Sequence, residues 1–308
     1  MMKIYIQLLT IAALVALTLS AIGQDVRTGG AAYRVVPDFP QLPPSLVLGA
    51  VSAVATDSKG NIFTFHRGEP PILILDRQGK LLRSFGDGLF KSAHGLRIDA
   101  DDNIWVTDNA NHTVIKFSRD GVPLLKLGEK DVPGEDAMHF NKPADIAFAA
   151  NGDFYIADGY GNSRVVKISP DGHWLKMLGT NGTGQDQFRT PHTIAVDAQN
   201  NVYVGDRGNF RIQVYDNNLN YQRTISGIGA PWALCITNTT PQYMFSGDGN
   251  GKLYKMDMTG KVLGMTVTGQ DHGSEDTGDL IHALDCRSPN VVYIGSASMY
   301  DVQKLTLK

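Results

Sequence analysis

Residues 94–121 read HGLRIDADDNIWVTDNANHTVIKFSRDG. The same plan returns at 144–172 as ADIAFAANGDFYIADGYGNSRVVKISPDG and at 192–216 as HTIAVDAQNNVYVGDRGNFRIQVYD, with weaker copies starting at Ser52, Trp232 and His282. The first position of the repeat therefore falls at 52, 94, 144, 192, 232 and 282, at intervals of 40 to 50 residues. Each copy holds an alternating strand, a tight turn of Gly, Asn or Asp, a second strand such as NIWVTD and a polar loop. A third strand such as TVIKFS follows, then a turn such as Arg119-Asp120-Gly121 and a fourth strand such as VPLLKLG. The period-two alternation and β-branched content predict strands throughout, with no amphipathic helix. A unit of this kind cannot bury its apolar faces alone, and six closed into a ring leave no open end. The sequence thus predicts an all-β fold, a six-bladed β-propeller of four-stranded antiparallel blades over residues 51–308.

Ring closure has a candidate in residues 24–50. The last repeat stops after its third strand, VQKLTLK, while Ala32-YRVVP precedes the first blade and is expected to supply the missing outer strand of blade 6. Pro37, Pro40, Pro43 and Pro44 then make a stiff lead-in. Residues 1–23 read differently: Met1-Met2-Lys3, an apolar run from Ile4 to Leu19, and small residues at Ala21 and Gly23. This is the pattern of a signal peptide, so export to a periplasm or to the outside is expected, with a retained membrane anchor as the rival reading. No later segment has the ~20 apolar residues of a membrane helix, so no membrane span is expected after signal removal.

Composition excludes other classes. An apolar content of 42% with a formal charge of −3 argues against disorder and against an electrostatic nucleic-acid binder. Two Cys cannot build a disulfide scaffold. The 33 Gly show no Gly-X-Y period and belong in turns between short strands. A monomer acting on a small carboxylate or peptide substrate is expected.

In a propeller the first strand of each blade lines the central channel, and the second runs back to the same face. The column at the start of strand one reads Ser52, His94, Ala144, His192, Trp232, His282. Histidine thus occupies alternate blades, giving three imidazoles around the axis. With 8 His in 308 residues, a triple at three set positions arises by chance with a probability of about 2 × 10⁻⁵. Three His with an open fourth position match a catalytic zinc (Zn2+) site better than a closed structural one; water-held channel residues are the bland alternative. The remaining His, at 66, 112, 139, 173 and 272, read as ordinary surface or loop residues.

The column after strand two supplies Arg67, Asn109, Gly159 followed by Tyr160, and Arg207. These rim the mouth that the histidines face. Arg grips a carboxylate by paired hydrogen bonds, and a phenol beside a cation gives up its proton more readily. Asp108, Asp158 and Asp206, one position earlier, are expected to cap the turn backbone.

The stretches FHRG (65–68), HGLRID (94–99), DGYGNSR (158–164), PHTIAVD (191–197) and DRGNFRIQ (206–213) resemble NHL-repeat propellers, and among them peptidyl-α-hydroxyglycine α-amidating lyase, the lyase domain of peptidylglycine α-amidating monooxygenase. The resemblance covers the whole chain after residue 23 and implies cleavage of a peptidyl-α-hydroxyglycine to a peptide amide and glyoxylate. It implies zinc on His94, His192 and His282, Tyr160 as the base, and Arg67 and Arg207 orienting the substrate. It also implies a structural calcium (Ca2+) in the channel on the backbone of Val54 and Leu96, but the Asp that helps hold it is replaced by Ala283. Asp145 or Asp285 would have to substitute, and neither matches the pattern. The family's disulfide cysteine in DGYC is Gly161 here.

Two alternatives stay open. One is a non-catalytic exported NHL-repeat propeller that binds a peptide or protein on its top face. The other is a calcium-dependent lactonase, which would place carboxylates and Asn where this column has His. Cys235 and Cys286 lie on adjacent blades with opposite parity, but blade faces pack about 10 Å apart while a disulfide needs Cα atoms within roughly 7 Å, so a bridge is left undecided.

Overall fold

The strands form where the repeat places them. The computed structural model describes residues 25–28, 31–268, 280–288 and 290–307, so the expected signal peptide and His272 lie outside the described residues. The chain opens with β1 (Asp25–Thr28) and β2 (Ala31–Val35). Blade 1 comprises β3 (Val51–Thr56), β4 (Ile62–His66), β5 (Ile72–Leu75) and β6 (Leu81–Phe85); blade 2 comprises β7 (Ala93–Ile98), β8 (Ile104–Asp108), β9 (Thr113–Phe117) and β10 (Pro123–Leu127). Blade 3 holds β11 (Asp145–Phe148), β12 (Phe154–Asp158), β13 (Arg164–Ile168) and β14 (Trp174–Leu178), followed by the short pair β15 (Thr180–Asn181) and β16 (Gln187–Phe188). Blade 4 holds β17 (Pro191–Val196), β18 (Val202–Asp206), β19 (Arg211–Tyr215) and β20 (Tyr221–Ile225). Blade 5 holds β21 (Ala233–Ile236), β22 (Met244–Gly247), β23 (Lys252–Met256) and β24 (Val262–Val267), and blade 6 holds β25 (Ile281–Ser288), β26 (Val291–Ser296) and β27 (Asp301–Leu307). Each blade is an antiparallel meander with consecutive strands hydrogen-bonded in order.

The N-terminal strand joins blade 6. β2 lies antiparallel to β27, with Tyr33 opposite Leu307 and Val35 opposite Leu305. β1 then pairs with β2 as a fifth strand that the repeat did not announce. Tyr33 is buried and meets Phe245 of blade 5 edge-on, so the closing strand also packs against the neighbouring blade.

The cores lie between blades. On β12, Phe154 and Ile156 pack with Trp105 and Val114 of blade 2, while Tyr155 and Ala157 pack with Ile194 and Val204 of blade 4. Both faces of an inner strand are therefore covered, which is why the second strands read almost continuously apolar. Burial fades outward: β12 is buried along its length, whereas β14 alternates half-buried and exposed residues. Turns between third and fourth strands need a left-handed residue. Gly79, Gly121, Gly172 and Gly260 fill that position in four blades at φ of +89, +82, +91 and +94°, which accounts for part of the glycine excess. Among the described residues no helix is long and apolar enough to cross a membrane.

Candidate metal centre and active site

Pairing of β7, β17 and β25 with their neighbours brings His94, His192 and His282 to one end of the channel. Their ring centroids are 4.8 to 4.9 Å apart, a nearly equilateral triangle, and all three are buried. Each imidazole is oriented by the blade that follows. Nδ1 of His94 lies 2.8 Å from the Ala144 carbonyl oxygen, Nδ1 of His192 lies 2.7 Å from that of Trp232, and Nδ1 of His282 lies 2.8 Å from that of Ser52. A carbonyl only accepts, so every Nδ1 carries the proton and every Nε2 presents a lone pair to the axis. The repeat column thus alternates imidazole and orienting carbonyl around the ring.

The imidazoles are held neutral. Burial pushes His94 and His192 well below the ordinary value of 6.5, aided by the charge of neighbouring groups, His282 first among them. Burial likewise brings His282 down to about 4, partly opposed by its hydrogen bond to Ser52 and reinforced by Arg67 and Arg207.

Tyr160 closes the top of this arrangement. Its Oη stands 2.9 Å from His192 Nε2 and 3.2 Å from His94 Nε2, and it accepts a 2.9 Å hydrogen bond from Arg207 Nη1. One phenolic proton cannot serve both Nε2 lone pairs, so more acceptors converge here than the side chains have protons to share. This donor set, three neutral imidazole nitrogens within 4.8 Å of one another and a phenol oxygen beside them, fits a borderline-soft dication such as zinc. The axial cavity beside the histidines holds about 20 Å³, room for one ion or water and not for a substrate.

Both arginines stand at the rim. The Arg207 guanidinium stacks 4.0 Å over the Trp232 ring and 4.9 Å over the Tyr160 ring. Arg67 is exposed and donates from Nε to the Ala93 carbonyl at 3.2 Å, next to His94. The sequence offers Trp232 only as a member of the repeat column, yet it forms the platform for Arg207 and supplies the carbonyl that orients His192.

The loops carrying these residues are tied down by the aspartates expected to cap them. Asp158 accepts from Asn141 N, Asn162 Nδ2 and Arg164 Nε, at 2.7 to 2.9 Å. Asp206 accepts in the same way from Arg189 N, Asn209 Nδ2 and Arg211 Nε, and Asp108 from Lys91 N, Ser92 N and Asn111 Nδ2. Gly159 is required beside Tyr160, because a Cβ there would collide with the carbonyl oxygen of Pro191, next to His192. The space beside Gly161 is taken by the Asn141 side chain.

Two histidines are not the surface residues their position off the column suggested. His66 is fully buried, accepting from Gly49 N at 3.0 Å through Nδ1 and donating through Nε2 to Pro70 O at 2.9 Å. It braces the loop that bears Arg67. His112 is also buried, and its Nδ1 accepts from Lys142 N at 3.1 Å.

Cys235 and Cys286 form a disulfide with Cα atoms 5.8 Å apart. The 10 Å face spacing does not apply to them because they lie on β21 and β25, the innermost strands, where the wedge-shaped gap between blades is narrowest.

Calcium does not fit the channel. Val54, Leu96 and Ala283 line it, but the carboxylates that could replace the missing Asp are engaged. Asp145 is salt-bridged to Arg97 at 2.6 Å, and Asp285 accepts from Thr56 N at 2.8 Å and faces Arg287 at 3.5 Å.

The NHL-repeat family matches residues 90–117, 140–168 and 188–215, within blades 2, 3 and 4. A peptidyl-glycine alpha-amidating monooxygenase of Mus musculus is 33% identical over 308 aligned positions, covering 85% of this chain and 31% of the mouse protein. A probable peptidyl-alpha-hydroxyglycine alpha-amidating lyase of Caenorhabditis elegans is 35% identical, covering 64% of this chain and 63% of that protein. The chain therefore spans about a third of the mouse enzyme's length and somewhat under two thirds of the nematode protein's. Among solved structures, a gluconolactonase of Xanthomonas campestris superposes with a TM-score of 0.66 over 92% of this chain and 95% of its own, at 15% identity, a likeness of fold alone. Repeat, fold and sequence likeness together make the chain an NHL-repeat six-bladed propeller resembling the peptidyl-α-hydroxyglycine α-amidating lyases.

Proposed function

We propose that the chain is a zinc-dependent carbon–nitrogen lyase that converts a peptidyl-α-hydroxyglycine into a peptide amide and glyoxylate. The observation that carries this reading is the convergence of three neutral Nε2 atoms with Tyr160 Oη, itself bonded to Arg207 at 2.9 Å. His94, His192 and His282 would hold the metal, which when bound supplies a Lewis acid for the substrate's α-hydroxyl and stabilises negative charge beside it.

The chain's own residues account for the rest. Arg207 is placed to stabilise charge on the Tyr160 oxygen, so that Tyr160 takes the α-hydroxyl proton as general base. The O–H and C–N bonds of the α-carbon break, a carbonyl forms in glyoxylate, and the amide nitrogen gains the proton. No oxidant is consumed. Arg67 and Arg207 beside a dication leave surplus positive charge at the mouth, which favours a substrate bearing a carboxylate. The small axial cavity keeps the peptide portion of the substrate outside, on the top face.

The test is glyoxylate release from α-hydroxyhippurate by the zinc-loaded chain. Wild type should turn over, and Tyr160→Phe should lose about 10²- to 10⁴-fold in rate while retaining its metal. No glyoxylate from fully loaded wild type would remove the lyase reading and leave a propeller that binds a ligand on this face.

A further inference from the structure

Beneath the histidines the channel is crossed by a side-chain network that the proposed chemistry does not use. Arg97, on β7, reaches into the channel and meets Asp145 of blade 3 through two parallel hydrogen bonds, Nε to Oδ1 at 2.9 Å and Nη2 to Oδ2 at 2.6 Å. The same guanidinium approaches the Leu284 carbonyl of blade 6 at 3.3 Å and the Leu234 carbonyl of blade 5 at 3.4 Å. Asp145 also accepts from Thr193 Oγ1 of blade 4 at 2.9 Å, and Thr193 Oγ1 in turn receives Leu234 N at 3.1 Å. Among the described residues, Asp145 is the one carboxylate lining this cavity.

A positive charge held by one carboxylate and two backbone carbonyls is what a structural cation on the axis would otherwise provide. We propose that the Arg97 guanidinium is the fixed internal cation of this channel, that it positions the three-histidine site, and that the chain consequently binds no calcium there. The role of Arg97 rests on the three histidines as a metal site and not on the reaction proposed above.

Every anchor adjoins the metal site. Arg97 is three residues beyond His94, and Asp145 follows Ala144, whose carbonyl orients His94. Thr193 follows His192, Leu234 lies two residues beyond Trp232, whose carbonyl orients His192, and Leu284 lies two residues beyond His282. One side chain therefore ties together the segments under all three imidazoles. Ala283 is consistent with this, since Asp145 and, without a hydrogen bond, Asp285 already act on the Arg97 charge and an Asp at position 283 would add a further carboxylate.

The first experiment titrates CaCl2 into the calcium-free full chain and follows both heat of binding and the thermal midpoint. No saturable heat and a midpoint unmoved to within about 1 °C are expected; a saturable rise of several degrees, or one calcium per chain after purification, overturns the proposal. The second uses Arg97→Met and Arg97→Lys with cobalt in place of zinc, whose visible absorption reports ligand geometry at temperatures where the variants are folded. Arg97→Met should lower the midpoint and change the cobalt band, with partial recovery in Arg97→Lys. A cobalt spectrum identical to wild type in both variants overturns the positioning role. Should Arg97→Met fail to fold, the calcium titration of wild type and the spectrum of Arg97→Lys still decide the matter.

Discussion

His282 donates from Nδ1 to the carbonyl oxygen of Ser52, 2.8 Å away and 230 positions earlier in the chain. The contact spans the seam where the ring closes, from blade 6 to blade 1, and it fixes the tautomer of one imidazole of the three-histidine cluster. Its equivalents within the ring, His94 to Ala144 and His192 to Trp232, are made between sequential blades. The three-histidine cluster is therefore complete only when the propeller is closed.

Because the three histidines are equivalent in this sense, each single change to Ala should have the same effect. His94→Ala, His192→Ala and His282→Ala are expected to lower metal affinity by at least about 100-fold. Six packed blades keep their fold without one channel residue. Metal content after dialysis and circular dichroism check this; retention of one zinc per chain in any of the three contradicts it.

Arg207 combines a fork of donors with a flat face stacked on Trp232 and Tyr160. Arg207→Lys keeps the charge and loses both the fork and the stacking. An increase in KM of about 10- to 100-fold for a carboxylate substrate is expected, the range of one charged hydrogen bond. Steady-state kinetics would show it, and an unchanged KM would place the carboxylate elsewhere.

The Cys235–Cys286 bridge joins the inner strands of blades 5 and 6 across 51 residues of sequence. Replacing both cysteines by Ser is expected to cost about 2–4 kcal/mol, chiefly by freeing the unfolded chain. Urea unfolding of the double variant against the oxidised parent measures this directly. Equal midpoints would show that β2 and the blade contacts suffice to hold the ring.

Acid should destabilise the metal-free protein. His282 has a folded value near 4 against an ordinary value of 6.5, so between those values the unfolded chain binds the extra proton and the folded one does not. Stability is retained above about pH 6.5, falls as pH drops toward 4, and then levels, with a loss on the order of 3 kcal/mol from this group. His94 and His192 are shifted in the same direction. Thermal midpoints of metal-stripped protein across this window should decline in wild type and decline less in His282→Asn; a flat wild-type profile would refute the burial of neutral imidazoles.

Period-two patterning and the recurrence of one 40- to 50-residue plan were enough to establish the propeller, because every blade obeys the same local rules. The repeat also maps columns onto a face of the disc, so the three histidines, Tyr160 and both arginines are legible in the sequence. The contacts that make the column chemical were not. Which nitrogen of each histidine faces the axis depends on a carbonyl one blade further on; the repeat column contains that partner, but only the folded ring shows that its carbonyl meets Nδ1. Arg97 read as one strand residue among many until closure of the ring brought Asp145, Leu234 and Leu284 around it. The disulfide was undecidable from average blade spacing, since only the taper toward the axis brings its Cα atoms to 5.8 Å. Local residue patterns set the strands, turns and columns of this chain; the contacts made on the axis were decided by tertiary structure, because there six blades meet and each side chain's partners come from distant repeats.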